Sequence, residues 1–115
     1  MENMTLKNIA AAVHGQLHLL PGSAEDGSKT CVTNVVIDSR KVEPGNLFVA
    51  TRGERADGHS FIPQVWDAGA LCVISEEDLS NSDFIKDGIK GNYILVKDSF
   101  QALKDLAAYY RSVLD

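Results

Sequence analysis

No run in these 115 residues approaches the roughly eighteen consecutive apolar side chains of a membrane-spanning helix, and the opening Met1–Leu6 has no apolar stretch like a secretory signal. A cytoplasmic address without a membrane partner is the expectation. Cysteine is scarce: Cys31 and Cys72 stand in β-like apolar runs without metal-ligand spacing, so reduced, buried thiols are expected rather than a disulfide or a zinc site. Basic residues are outnumbered, 11 against 16 acidic, and form no long run, which excludes a general attraction for nucleic acid. An anionic ligand would have to be held locally, by Arg40, Lys41, Arg52 or Arg55. The sequence has no Gly-x-x-x-x-Gly-Lys-Ser/Thr loop, no Gly-x-Gly-x-x-Gly, no Ser/His/Asp arrangement and no metal cluster. The chain by itself is therefore expected to be inactive, with no catalytic residue and no metal ligand assigned.

What is present is the composition of one folded domain, 44% hydrophobic and 23% charged. Thr5 can cap a helix whose Leu6, Ile9, Ala10 and Val13 share a face, with Gly15 as its C-terminal cap. Gln16 to Leu20 alternates as a strand does, and the small, polar stretch from Gly22 to Lys29 reads as a turn or loop. Cys31 to Ile37 and Leu47 to Ala50 read as buried strands. Ser60 can cap a second helix carrying Phe61, Ile62, Val65 and Trp66, with Pro63 in its first turn and Gly69 at its end. Ala70 to Ile74 follows as a strand, Glu76 to Gly91 as an acidic loop anchored by Phe84 and Ile85, and Tyr93 to Val96 as the last strand. Asp98 with Gln101 resembles a capping box opening a helix striped by Phe100, Leu103, Leu106, Ala107 and Tyr110. Helices alternating with short strands imply an α/β fold, a layered domain with a small mixed sheet flanked by helices.

Polar groups concentrate in two segments beyond strand ends, Asp38-Ser39-Arg40 and Gly53-Glu54-Arg55-Ala56-Asp57-Gly58-His59. Loops at strand ends are where ligands dock in such domains. Ser39 could offer its hydroxyl and amide to a phosphate or base oxygen, and Arg40 and Arg55 charge-assisted contacts. A plainer reading stands beside this one: Asp38 caps a turn, Arg40 pairs with a neighbouring carboxylate, the glycines supply turns, and His59 faces solvent near a helix start.

Asp38-Ser39-Arg40, Pro44-Gly45, Leu47-Phe48-Val49-Ala50, Gly53-Glu54-Arg55, Asp57-Gly58-His59, Phe61-Ile62 and Gly69-Ala70, in this order, resemble the first domain of the Mur ligases, and the likeness extends over nearly the whole chain. Asn46 after Pro-Gly, where the family usually has Asp, and Val65-Trp66 depart from its pattern. The resemblance implies a domain that holds the UDP end of a UDP-N-acetylmuramoyl-peptide, while central and C-terminal domains absent from this chain bind ATP with magnesium and the incoming amino acid or dipeptide. It implies contacts to the uridine nucleotide from Ile37 and Ser39, a second binding loop at Glu54, Arg55 and Ala56, and substrate-binding positions at Arg40, Asp57, Gly58 and His59 that shape that loop or touch the ligand. The opening and Gly53-Glu54-Arg55 lean toward the branch that adds D-alanyl-D-alanine. The branch adding diaminopimelate or lysine, and a non-catalytic interaction domain of similar fold, are the alternatives.

Overall fold

The computed structural model describes residues 4–20, 30–51, 57–81 and 89–113. Five strands, β1 (Gln16–His18), β2 (Val35–Val36), β3 (Leu47–Val49), β4 (Cys72–Ser75) and β5 (Asn92–Leu95), form one sheet in the order β1-β5-β4-β3-β2. β2 to β5 run parallel, and β1 closes one edge antiparallel to β5, with Leu17 opposite Ile94. The sheet is thus mixed, as expected. Among the described residues three α-helices flank the sheet: α1 (Leu6–Ala12), α2 (Ile62–Asp67) and α3 (Ser99–Val113).

Side-chain alternation along the inner strands builds two cores. Leu47, Val49, Cys72, Ile74 and Ile94 pack with Leu6 and Ile9 of α1 and with Ala102 and Leu106 of α3. Their neighbours Phe48, Val73 and Tyr93 pack with Ile62, Val65 and Trp66 of α2. Every residue of β3 and β4 is buried, which is why these strands read as unbroken apolar runs. Cys72 is a buried free thiol, pushed up by desolvation, whereas Cys31 is only half-buried.

Several local expectations change. Thr5 does cap α1, accepting from the Asn8 amide at 3.1 Å, but the turn after the helix is made by His14, with φ 58°, and not by Gly15. The strand expected over Cys31 to Ile37 shrinks to Val35–Val36, because Cys31 instead forms an isolated bridge with Thr5. Ser60 does not cap α2: a 3-10 segment, Gly58–Phe61, runs straight into that helix, with Asp57 as its cap, and the Ser60 hydroxyl donates to the Asp57 carbonyl. Asp98 caps α3 through the Phe100 and Gln101 amides, yet the Gln101 side chain turns to Asp105, leaving the box half-made. The buried stripe of α3 is rotated, with Ala102 and Leu106 inside and Phe100, Ala107 and Tyr110 exposed. Asn46 is buried and holds its turn, accepting from the Glu43 amide and donating to Thr33. The Trp66 indole donates to the Asn92 carbonyl. Gly22 to Lys29, Phe84 and Ile85 lie outside the described residues.

Candidate functional site

At the carboxyl end of a parallel sheet, loop amides and side chains meet solvent instead of another strand. β2 ends at Val36, and the chain turns immediately because Asp38 Oδ1 accepts from the Arg40 amide at 3.0 Å, starting the 3-10 segment Ser39–Lys41. The same carboxylate receives the Arg40 guanidinium side-on, Nε to Oδ1 at 3.1 Å and Nη2 to Oδ2 at 3.0 Å. This is the plainer reading of both residues, realised: a turn cap and a neighbouring ion pair. The Arg40 side chain is 85% exposed, so the pair orders the loop more than it stabilises the fold.

The Arg40 hydrogen bonds, side chain first and amide second, hold the Asp38 carboxyl down to about 2 from its ordinary 3.8, and Lys41 adds a smaller pull. A depressed carboxylate contributes above its unfolded value, so this tie is complete above about pH 4 and fades as pH falls through about 2. An NMR titration of the Asp38 carboxyl should show it ionised until about pH 2, with Arg40→Ala returning it toward 3.8. A wild-type midpoint in the ordinary range would remove the pair from the loop's architecture.

The second wall comes from the next strand. β3 delivers Phe48 and, just beyond its end, Thr51, whose carbonyl accepts from the Gly58 amide at 2.8 Å and so pins the returning chain to the strand end. The 3-10 segment and α2 then bring Phe61 and Gln64 to the same place. Between the two walls lies a cleft of about 430 Å³, with Ile37, Asp38, Ser39 and Arg40 on one side and Thr51, Gly58, Phe61 and Gln64 on the other, over a floor of Phe48. Its size falls in the range of small-ligand sites, and its lining combines aromatic surface with a few polar groups. Ile37 lines the cleft while 59% exposed, so its apolar side chain is accessible there.

Of the residues singled out in sequence, Ile37, Ser39, Arg40 and Gly58 converge on this cleft. Asp57 and His59 do not line it; they stand behind Gly58. Glu54, Arg55 and Ala56 lie outside the described residues. His59 requires a correction: it is fully buried and not solvent-facing, with Nδ1 2.6 Å from Asp57 Oδ1 and Nε2 accepting from the Glu76 amide at 2.8 Å. Asp57, His59 and Glu77 also bring three potential metal-ligand atoms within 4.8 Å of one another. Both His59 nitrogens are already engaged, by Asp57 and by the Glu76 amide. Phe48, Thr51, Phe61 and Gln64 carry no site role in the sequence reading, where Phe48 and Phe61 stand only as core and motif residues; the spacing of Phe61 and Gln64, three apart on a helical turn, is the available signal.

A separate groove of about 360 Å³ beside α3 is lined by Met4, Val35, Leu103, Leu106, Ala107, Tyr110 and Asn34. Its lining is mostly apolar, with Asn34 and Tyr110 as the polar side chains, and it lies at the start of β2 and not beyond a carboxyl strand end. Among the described residues no helix is long and apolar enough to cross a membrane.

Comparison with known proteins adds four observations. Residues 31–111 match the Mur ligase family, catalytic domain. The chain is 36% identical over 110 residues to the UDP-N-acetylmuramoyl-tripeptide--D-alanyl-D-alanine ligase of Bacillus subtilis, covering 96% of this chain and 22% of that protein. It is 41% identical over 92 residues to the UDP-N-acetylmuramoyl-L-alanyl-D-glutamate--2,6-diaminopimelate ligase of Chlorobaculum tepidum, covering 78% and 17%. Its fold is similar to that of MurF from Acinetobacter baumannii, with a TM-score of 0.72 and 29% identity over 94% of this chain and 21% of the other. The chain thus spans about a fifth of the length of the curated relatives it matches.

Proposed function

This chain belongs to the Mur ligase family, and we propose that it is the substrate-anchoring domain of a peptidoglycan-precursor ligase, holding the UDP end of a UDP-N-acetylmuramoyl-peptide in the cleft beyond β2 and β3. The observation that carries this is the convergence of Ile37, Ser39, Arg40 and Gly58 on that cleft. Ile37 and the Phe61 ring offer apolar surface to a base. The Ser39 hydroxyl and amide, with the Arg40 donors that Asp38 does not use, offer hydrogen bonds to the pyrophosphate. Arg55, with Glu54 and Ala56, enters on the family likeness alone.

ATP and magnesium would be held by the central domain of the complete ligase, and the incoming amine by the C-terminal domain, so no chemical step falls to this chain. Its contribution would be binding and orientation: gripping a long substrate at its far end positions a carboxylate reacting in another domain. Addition of D-alanyl-D-alanine is favoured, because the likeness to ligases of that type runs over 96% of the chain in sequence and 94% in structure. The diaminopimelate-adding reading draws on the higher identity, 41%, over a shorter span.

In the complete ligase, Ser39→Ala should raise the Michaelis constant for the UDP substrate about ten- to a hundredfold, the size of one lost charge-assisted hydrogen bond, while the constant for ATP stays put. Arg55→Ala should act in the same direction. Folded variants of both with unaltered UDP-substrate kinetics would return Ser39 and Arg55 to the role of turn formers.

A further inference from the structure

His59 directly follows the cleft-lining Gly58, yet its ring is fully buried. Two segments meet on it, and a third is reached through Glu76. Asp57, at the start of the turn that carries Gly58, receives both the His59 amide and Nδ1 on the same Oδ1, at 3.0 and 2.6 Å. Glu76, just past the end of β4, donates its amide to Nε2 at 2.8 Å. The Glu76 carboxylate then accepts from the Ser99 amide and hydroxyl, at 2.7 and 2.8 Å, at the first turn of α3.

The proton positions follow from these partners. An amide N–H can only donate, so Nε2 must be the unprotonated nitrogen; Asp57 needs a donor, so Nδ1 carries the hydrogen. The ring is a neutral imidazole in the Nδ1–H form, a strut with a donor at one end and an acceptor at the other. Few side chains can satisfy two half-buried partners of opposite polarity from one fully buried ring.

We propose that His59 is a positioning residue of the UDP cleft: it touches no ligand, but its ring fixes the Asp57–Gly58 turn to the ends of β4 and α3, and through that turn sets the Gly58 wall against Ser39. The inference rests on the UDP-anchoring reading above. It reassigns His59 from ligand contact to support, and it ties the cleft to α3.

The test uses the 115-residue chain, isotope-labelled, with uridine diphosphate as the probe. Long-range proton–nitrogen correlation on the imidazoles should find His59 in the Nδ1–H form; an Nε2–H form or an imidazolium near neutral pH overturns the strut. With uridine diphosphate bound, intermolecular contacts should reach the Ile37 and Ser39 protons and none the His59 ring; a ring contact overturns the assignment. His59→Asn retains a donor for Asp57 and loses the acceptor for Glu76, and His59→Gln can supply the acceptor while losing the donor. Each should stay folded by the α3 and β4 amide pattern, shift the Gly58 amide before any ligand is added, and weaken uridine diphosphate binding by about tenfold or more. Folded variants that bind as tightly as wild type overturn the proposal. If wild type does not bind the nucleotide, or binds it without moving Ser39, the anchoring reading fails on its own. The strut is then decided by hydrogen exchange at the unliganded Gly58 amide, which must quicken in both variants as its bond to the Thr51 carbonyl loosens, and unchanged exchange overturns it.

Discussion

Gly58→Ala is expected to lose stability and nucleotide binding together, with the melting temperature falling by several degrees and uridine diphosphate affinity by tenfold or more. A Cβ at this position would lie 2.9 and 3.0 Å from the Thr51 nitrogen and oxygen and 3.2 Å from the Ala50 Cα. All three are backbone atoms of a strand exit that cannot recede, since the Ala50 amide is committed to the Ile74 carbonyl at 3.0 Å. The turn must move instead, stretching the 2.8 Å bond from the Gly58 amide to Thr51. Overpacking of this kind costs about 1–3 kcal/mol. Gly69→Ala is the control. Gly69 has φ +102° and its Cβ would meet Pro44 at 3.0 Å, at the amino ends of the strands, remote from the cleft. It should destabilise by a comparable amount, about 1 kcal/mol or more, and leave binding per folded molecule unchanged. Thermal melts and a nucleotide titration of both variants decide the matter; wild-type affinity in a folded Gly58→Ala protein would place the cleft wall elsewhere.

The contrast between these glycines illustrates what the sequence could reveal. Patterns with a local cause were legible: the Thr5 cap, the apolar runs of β3 and β4, the turn at Asp38, and the mixed α/β architecture all follow from residues close in the chain. Features decided by partners far away were not. The sequence around His59 reads as a solvent-facing helix start because the amide that its Nε2 accepts from belongs to Glu76, seventeen residues away. Cys31 looked like strand because a β-branched run followed it, but the residue opposite it is Thr5, in an isolated bridge and not in the sheet. The stripe on α3 was misjudged by a fraction of a turn, since Phe100 and Tyr110 are as apolar as the residues that α1 and the sheet actually cover.

For the cleft the same division holds. Ile37, Ser39, Arg40 and Gly58 were readable as polar or turn-forming positions beyond strand ends and through family likeness, while the aromatic floor was hidden inside what reads as ordinary core. Phe48 belongs to both. It is 1% exposed and packs with Ile62, Val65 and Trp66, and it also underlies the space between Ser39 and Gly58. A site whose floor is a core side chain is held by the stability of the fold, so its shape does not depend on the loops alone.

Phe48→Ala is therefore expected to be the most damaging single change, costing about 3–5 kcal/mol through lost burial and the cavity left behind. Against the roughly 5–15 kcal/mol available to a domain, this is enough to leave much of the protein unfolded under mild heating. The informative comparison is between gentler changes on adjacent residues. Leu47 is as deeply buried as Phe48 but faces the opposite core, with α1 and α3. Leu47→Val and Phe48→Leu should each cost on the order of 1 kcal/mol. Only Phe48→Leu, by withdrawing the ring edge from under the cleft, should weaken uridine diphosphate binding several-fold once the folded fraction is accounted for. Urea unfolding gives the stabilities, and nucleotide titration of folded protein gives the affinities. Equal affinities in the two variants would separate the cleft from the aromatic core, and the ligand would then be held by the loop side chains alone.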